Sequence, residues 1–227
     1  MILRLGLLGF LLFGAGQTAV DAPLTEDGLR AWLVSGGVLE SNQRLIHEQF
    51  SQQRMQLPPW WPSDVADQEE AAVQSVDMVP VALPFYQFCM TEREVRLIVK
   101  FSGTTAGKRV TSSAVGTHER AAGSGSSATD AQESGEQAAD VTVKNLSAKE
   151  KHDAVAALTP QERAFDATHF TPDRMSIYKK CTDSAYAQTV AEAGKLQMAA
   201  VEAVVEKNRP ALVAARTAWM KDHPQSQ

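Results

Sequence analysis

Most of the signatures that announce an activity are missing from this chain. It has two cysteines, Cys89 and Cys181, set far apart, so neither a C-x-x-C redox motif nor a cysteine-rich zinc cluster exists. The five histidines, His47, His118, His152, His169 and His223, never fall in H-x-x-x-H or H-E-x-x-H spacing. His152, Asp153 and His169 come nearest to a ligand set, and without a ligand motif they support no metal centre. There is no G-x-S-x-G, no Walker loop and no G-x-G-x-x-G. Gly123-Ser124-Gly125 follows no strand pattern. The acids Glu92, Glu94 and Asp166 have ready places in helix caps or on the surface. No catalytic residue, cofactor or metal ligand is expected.

Positive charge is also short. There are 22 Lys and Arg against 27 Asp and Glu, a net charge of −5 and a pI near 5.6. That balance lacks the basic footprint of a nucleic-acid binder and gives no general attraction to anionic membrane surfaces. The longest apolar run, Met1 to Phe13, falls short of the roughly 20 residues that a membrane-spanning helix needs. From 111 to 140 there is no aromatic, Leu or Ile, and 20 of the residues are Gly, Ala, Ser or Thr. Such a segment buries little apolar surface to offset its ordering entropy, so 111–145 is expected to be a flexible, disordered linker between helical regions at 23–110 and 146–222.

What is present reads as an all-α protein, with apolar content of 44% sufficient for a core. The fold expected is an irregular bundle of about six to eight helices with a long C-terminal helix. Residues 1–22 have the build of a secretory signal peptide: one Arg, an apolar run, then the small residues Gly14, Ala15, Gly16, Ala19 and Ala22. The cut is left open between Gly16, Ala19 and Ala22, and Pro23 would follow the last of these. Thr25 can cap a first helix that ends at Gly36-Gly37. A second helix is expected from Val38 to about Met55, with Leu39, Leu45, Ile46 and Phe50 inward. Pro58-Pro59-Trp60-Trp61-Pro62 forbids a helix and reads as an extended elbow. Its tryptophans could form a binding platform or cap the core. A third helix is expected from Ser63 to about Met78, capped by Ser63 or Asp64, after which Pro80 and Pro84 break or kink the path.

The stretch from Leu83 to Lys108 is the centre of the arrangement. Pro84 suits the first turn of a short helix carrying Phe85, Tyr86 and Phe88. Thr91-Glu92-Arg93-Glu94 fits the capping box, in which the Thr hydroxyl accepts from the third residue on and Glu94 reaches back. Val95, Leu97, Ile98, Val99 and Phe101 then form an apolar face, and Gly103 and Gly107 are expected as turn formers. Arg93, Arg96 and Lys100 form a basic stripe that reads as a solvated face.

The run Val79-Pro80, Phe85-Tyr86, Met90-Thr91-Glu92-x-Glu94-Val95-x-Leu97 and Phe101-x-x-Thr104-x-x-Gly107-Lys108 resembles an exported, all-helical bacterial domain family of unknown function, DUF 2059. The resemblance covers about residues 79–108, or 24–110 with the weaker N-terminal helices. Ser102 stands where the family usually has Tyr, and Thr105 where it usually has Pro. The resemblance implies a fold and export, and no activity.

Past the low-complexity segment, Ser147, Thr159 and Thr171 are each placed to cap a helix, the last opening a long one from Pro172 to about Lys207. Met175, Tyr178, Cys181, Ala185, Tyr186, Val190, Ala193, Leu196, Ala200 and Val204 form its apolar stripe, suited to packing within the chain or to a dimer seam. Asn208-Arg209-Pro210 is expected to break it, with a last helix carrying Leu212, Val213 and Trp219 and a frayed tail at 223–227. In an exported protein an even cysteine count favours a disulfide, here Cys89 to Cys181. The leading functional expectation is a non-enzymatic envelope interaction module with an unknown envelope protein as partner. The alternatives are a carrier of an apolar small molecule, in a pocket lined by Trp60, Trp61, Phe85, Phe88 and Tyr178, and an enzyme without a recognisable motif.

Overall fold

A computed structural model describes residues 22–223, with the side chains of residues 128, 129 and 172 left aside. The signal peptide expected at 1–22 lies, except for Ala22, outside the described residues, as does the tail from 224. The described residues form ten helices: α1 (Glu26–Ser35), α2 (Val38–Arg54), α3 (Ser63–Gln74), α4 (Met78–Tyr86), α5 (Glu92–Ser102), α6 (Thr105–Gly123), α7 (Ala128–Lys144), α8 (Ala148–Ala156), α9 (Pro160–His169) and α10 (Pro172–Asp222). Among them the only extended pairing is one isolated antiparallel bridge, Pro23 with Thr91.

The caps read from local chemistry are in place. Thr25 accepts from the Gly28 N–H, and the left-handed Gly37 (φ 66°) turns the chain between α1 and α2. Capping boxes close α5 (Thr91, Glu94), α8 (Ser147, Glu150) and α9 (Thr159, Glu162), and Thr171 caps α10. Each satisfies backbone donors that a helix start leaves unpaired.

Helix α3 stops at Gln74 rather than near Met78, and the residue at its N-cap is Pro62, without a side-chain bond. Asp77 caps a separate helix through the Val79 N–H, and that helix includes both Pro80 and Pro84. Pro80 sits in the first turn, where its missing N–H has no helical partner anyway. Pro84 is therefore inside α4, not at its start as expected.

The principal correction concerns 111–145, expected to be a disordered linker. It forms most of an antiparallel hairpin, α6 and α7, which raises the number of helices above the six to eight expected. Composition misled because large apolar side chains are not the only way to pack. Ala, Gln and Glu are good helix formers, and small residues let the two helices approach closely. Ala131 is fully buried and Ala139 nearly so. A Cβ on Gly135 would lie 2.8 Å from the Ala114 carbonyl oxygen. The Thr142 hydroxyl donates to Ser113 Oγ across the seam at 2.9 Å. Arg44–Glu119, Lys179–Glu136 and Gln132–Asp183 tie the hairpin to α2 and α10.

Helix α10 is likewise continuous where a break at Asn208-Arg209-Pro210 was expected. Its 51 residues span about 75 Å at 1.5 Å per residue. Pro210 costs a helix on the order of 3 kcal/mol, but contacts hold the helix on both sides of it. Asn208 Nδ2 donates to Val204 O and to Gln68 Oε1 on α3, Leu212 is buried, and Arg216 lies over Trp60. With Cys181 beside Cys89 at the other end, α10 runs antiparallel along α3 and α4. Its buried face also differs from the expected stripe: Thr189 is buried, while Val190 and Leu196 are exposed.

The main core gathers Leu24, Leu29 and Leu33 against Val79, Ala82, Tyr86, Met90, Val95, Ile98 and Ala185. A second cluster joins the hairpin to α8 through Ala106, Val110, Ala139, Leu146 and Ala154. A third places Phe165 of α9 against Leu97 of α5 and Leu158.

Candidate functional site

Four parts of the chain meet at the start of α5. Cys89 and Cys181 form a disulfide with Cα atoms 5.5 Å apart, which joins the turn after α4 to the third turn of α10. Two residues after Cys89, Thr91 and Glu94 close the capping box: Thr91 N–H and Oγ1 donate to Glu94 Oε2 at 2.8 and 3.0 Å. Glu94 is itself buried and faces Arg174 of α10 at 3.8 Å. Tyr178, a turn before the disulfide, packs on the main core, and its hydroxyl is buried without a hydrogen-bond partner. Burial, with the charge of Glu94 adding to it, holds the Tyr178 hydroxyl neutral well above the usual tyrosine range.

The N-terminal segment completes the junction. The Glu92 N–H donates to Ala22 O at 3.1 Å, and Glu92 Oε2 accepts from both the Thr25 N–H (3.1 Å) and Oγ1 (2.8 Å). Glu92 also pairs with Arg96. Burial pushes the Glu92 carboxyl up, but the bonds from Thr25 and Arg96 outweigh it and leave it below the usual glutamate range. One carboxylate thus serves the first turns of both α1 and α5, where the helix dipoles favour negative charge.

Phe88 projects from this rigid junction with 83% of its surface exposed, and Ile177 of α10 is 69% exposed. Ile177 precedes Cys181 by one helical turn and Phe88 adjoins Cys89, so the disulfide keeps the Cα atoms of Phe88 and Ile177 within about 16 Å of each other. Lys180, on the same stretch of α10, is also exposed. These groups can bind an apolar surface; they offer no nucleophile paired with a base and no ligand cluster.

The five aromatics expected to line one pocket are not brought together. Phe85 and Tyr178 pack on the main core near Cys181. Trp60 and Trp61 sit against each other, ring centres 5.6 Å apart, with Arg216 over Trp60. Residues 178 and 216 of one straight helix are about 57 Å apart, so the tryptophans and Tyr178 cannot share a cavity. Phe88 faces outward. The one cavity described, about 590 Å³, is an open groove along the outer side of α10, lined by residues of that helix alone from Ala199 to Arg209.

Gly103 follows α5 as expected, although with φ −71°. Gly107 is not a turn former; it lies in the first turn of α6, and a Cβ there would stand 2.0 Å from the Phe101 carbonyl oxygen. It is required by close approach. His169 stacks on Phe165 at 3.6 Å, and Arg93 lies over the same ring at 3.9 Å, which draws one member of the expected basic stripe into the α5–α9 contact. His152 is exposed beside Asp153. Among the described residues no group of three His, Cys, Asp or Glu could hold a metal ion, and no helix is long and apolar enough to cross a membrane.

Sequence reasoning missed the Ala22–Glu92 and Thr25–Glu92 bonds and the Glu94–Arg174 pair, because each joins residues far apart in the chain. The one local signal was the acid at 92, placed beside a cap. No protein-family model, curated protein or solved structure matches this chain.

Proposed function

We propose that this chain is an exported, non-enzymatic protein of the bacterial envelope that docks another envelope component through the surface around its disulfide. One observation carries the reading: a phenylalanine, Phe88, stands 83% exposed beside a disulfide and a doubly bonded helix cap. Burying a side chain of this size is worth roughly 1.5–3 kcal/mol, and the rigid backbone beneath it lowers the ordering cost of association. The signal-peptide pattern at 1–22 and the resemblance to DUF 2059 support the envelope location, and a disulfide fits an oxidising compartment.

The test is native mass spectrometry of the protein released gently from its own host's envelope, beside a Phe88→Ser variant. The expected result is a defined protein adduct that the variant loses while its melting midpoint stays unchanged, since Phe88 contributes little to the core. An adduct retained by the variant, or a retained small-molecule mass in place of a protein, would overturn the reading.

A further inference from the structure

We infer that two copies of this chain pair antiparallel through the outer face of α10, with a two-fold axis at Ala191. The inference does not depend on the function proposed above.

The inner side of α10 is occupied within the chain, where Tyr178 and Ala185 pack on the main core and Ala193 is buried. The opposite side carries a second line of residues. It runs in both directions from Ala191 at alternating steps of four and three, the spacing that keeps side chains facing one partner helix. The line extends from Asp173 to Arg209, and every position on it is exposed except the half-buried Val205. Met198 is 61% exposed, and a Cβ on Gly194 beside the line would meet nothing within 4 Å. The open groove from Ala199 to Arg209 lies along the same line.

The order of residues on this line names a second copy as its occupant. Seven residues on either side of Ala191 stand Ser184 and Met198, and fourteen on either side stand Ile177 and Val205. At eleven residues Lys180 balances Glu202, and at eighteen Asp173 balances Arg209. An antiparallel copy related by the axis at Ala191 therefore sets small against long, apolar against apolar, and each cation of these two pairings against an acid. Each pairing is made twice. The Ile177 of each copy then enters the groove of the other at Val205. A parallel copy would set Lys180 on Lys180 and Glu202 on Glu202. Sliding the antiparallel copy by seven residues would set Lys180 on Arg209 or Asp173 on Glu202. Among the described residues Asp173, Lys180 and Glu202 have no ion-pair partner in their own chain, whereas Lys179, Lys195 and Arg209 on the same helix do. The line is about 54 Å long on a helix about 10–12 Å across, so each copy buries roughly 600 Å². The total, about 1,200 Å², is the size at which specific interfaces begin. Opposed charges at its edges fix register more than affinity.

The test is sedimentation equilibrium of the full chain, produced with its own N-terminus in a bacterial host and kept oxidised, over about 1–100 μM. The expected mass at the upper end is twice that of one chain, which is distinct from an adduct with a different protein. Ala191→Glu brings two like charges together at the two-fold axis and should give a monomer with unchanged circular dichroism at 222 nm. Lys180→Glu sets acid against acid and should raise the dissociation constant about tenfold or more. Lys180→Glu/Glu202→Lys exchanges the charges and should return it to within about threefold of the original. A monomer at every concentration overturns the inference, and so does a dimer that Ala191→Glu leaves intact. A double variant as weak as Lys180→Glu alone would remove the axis at Ala191 and the inference with it.

Discussion

Removing the disulfide is the most decisive perturbation, because its effect can be sized from the structure. Cys89 and Cys181 are 92 residues apart and enclose α5 through α9 and the start of α10. In the chain-entropy account, closing a loop of this length restricts the unfolded chain by about 4–5 kcal/mol. The folded state loses little else when the bridge is cut. Tyr178 still packs on the main core, Glu94 still faces Arg174, and α10 keeps its contacts with α4. The double variant Cys89→Ala/Cys181→Ala should therefore fold to the same helical content and melt lower. At 2–4 °C per kcal/mol for a chain of this size, the midpoint should fall by about 8–20 °C. Circular dichroism at 222 nm, followed through a thermal ramp, reads both quantities. The unmodified protein heated in reductant should approach the variant's midpoint, and the variant should not respond to reductant. A midpoint within about 3 °C of the unmodified protein would refute the reasoning, since the bridge would then not restrict the unfolded chain as argued.

Four further outcomes follow from particular positions. Gly107→Ala places a Cβ 2.0 Å from the Phe101 carbonyl oxygen and 2.7 Å from Ser102 Cα, both backbone, so it should destabilise by several kcal/mol or prevent folding. Gly194→Ala on α10 meets nothing within 4 Å and should raise stability by up to about 1 kcal/mol through helix propensity; denaturant melts compare the two. Thr91→Ala removes the acceptor for the Glu94 N–H and should cost about 1 kcal/mol by the same measurement, with the loss of the α5 cap visible as faster amide exchange at Glu94. Acid should loosen the caps of α8 and α9. Glu150 is held at about 2 by Ser147 and then Arg109, and Glu162 at about 2 by Lys100 and the Thr159 N–H. Both folded values lie below the ordinary 4.5, so their contribution is present above pH 4.5 and is lost as pH falls toward 2. The thermal midpoint should fall across that window, and in Glu150→Gln/Glu162→Gln it should fall less.

Local chemistry was legible wherever a few adjacent residues decide it. A hydroxyl followed three residues later by Glu specified the starts of α5, α8 and α9, and Gly36-Gly37 marked the turn between α1 and α2. The pairing of Cys89 with Cys181 could be read because two cysteines allow one intramolecular bridge. The surface around that bridge could not be read, since Phe88 and Phe85 lie three residues apart in one aromatic run and only packing decided that Phe85 turns to the core and Phe88 to solvent.

By itself, then, the amino-acid order determined an all-α chain, most of its helix starts and its covalent tie, because caps, propensities and a lone cysteine pair act over short range or admit one solution. Tertiary structure decided the rest. It made a helical hairpin of α6 and α7, where small residues offered close approach in place of apolar bulk. It carried α10 unbroken through Pro210, where contacts with α3 and Trp60 on either side offset the proline. It separated the tryptophans from Tyr178 by most of the length of α10, and it made Ala22 a cap for a helix that begins 70 residues later. Each of these depends on free energy shared between distant segments, which no short window of sequence contains.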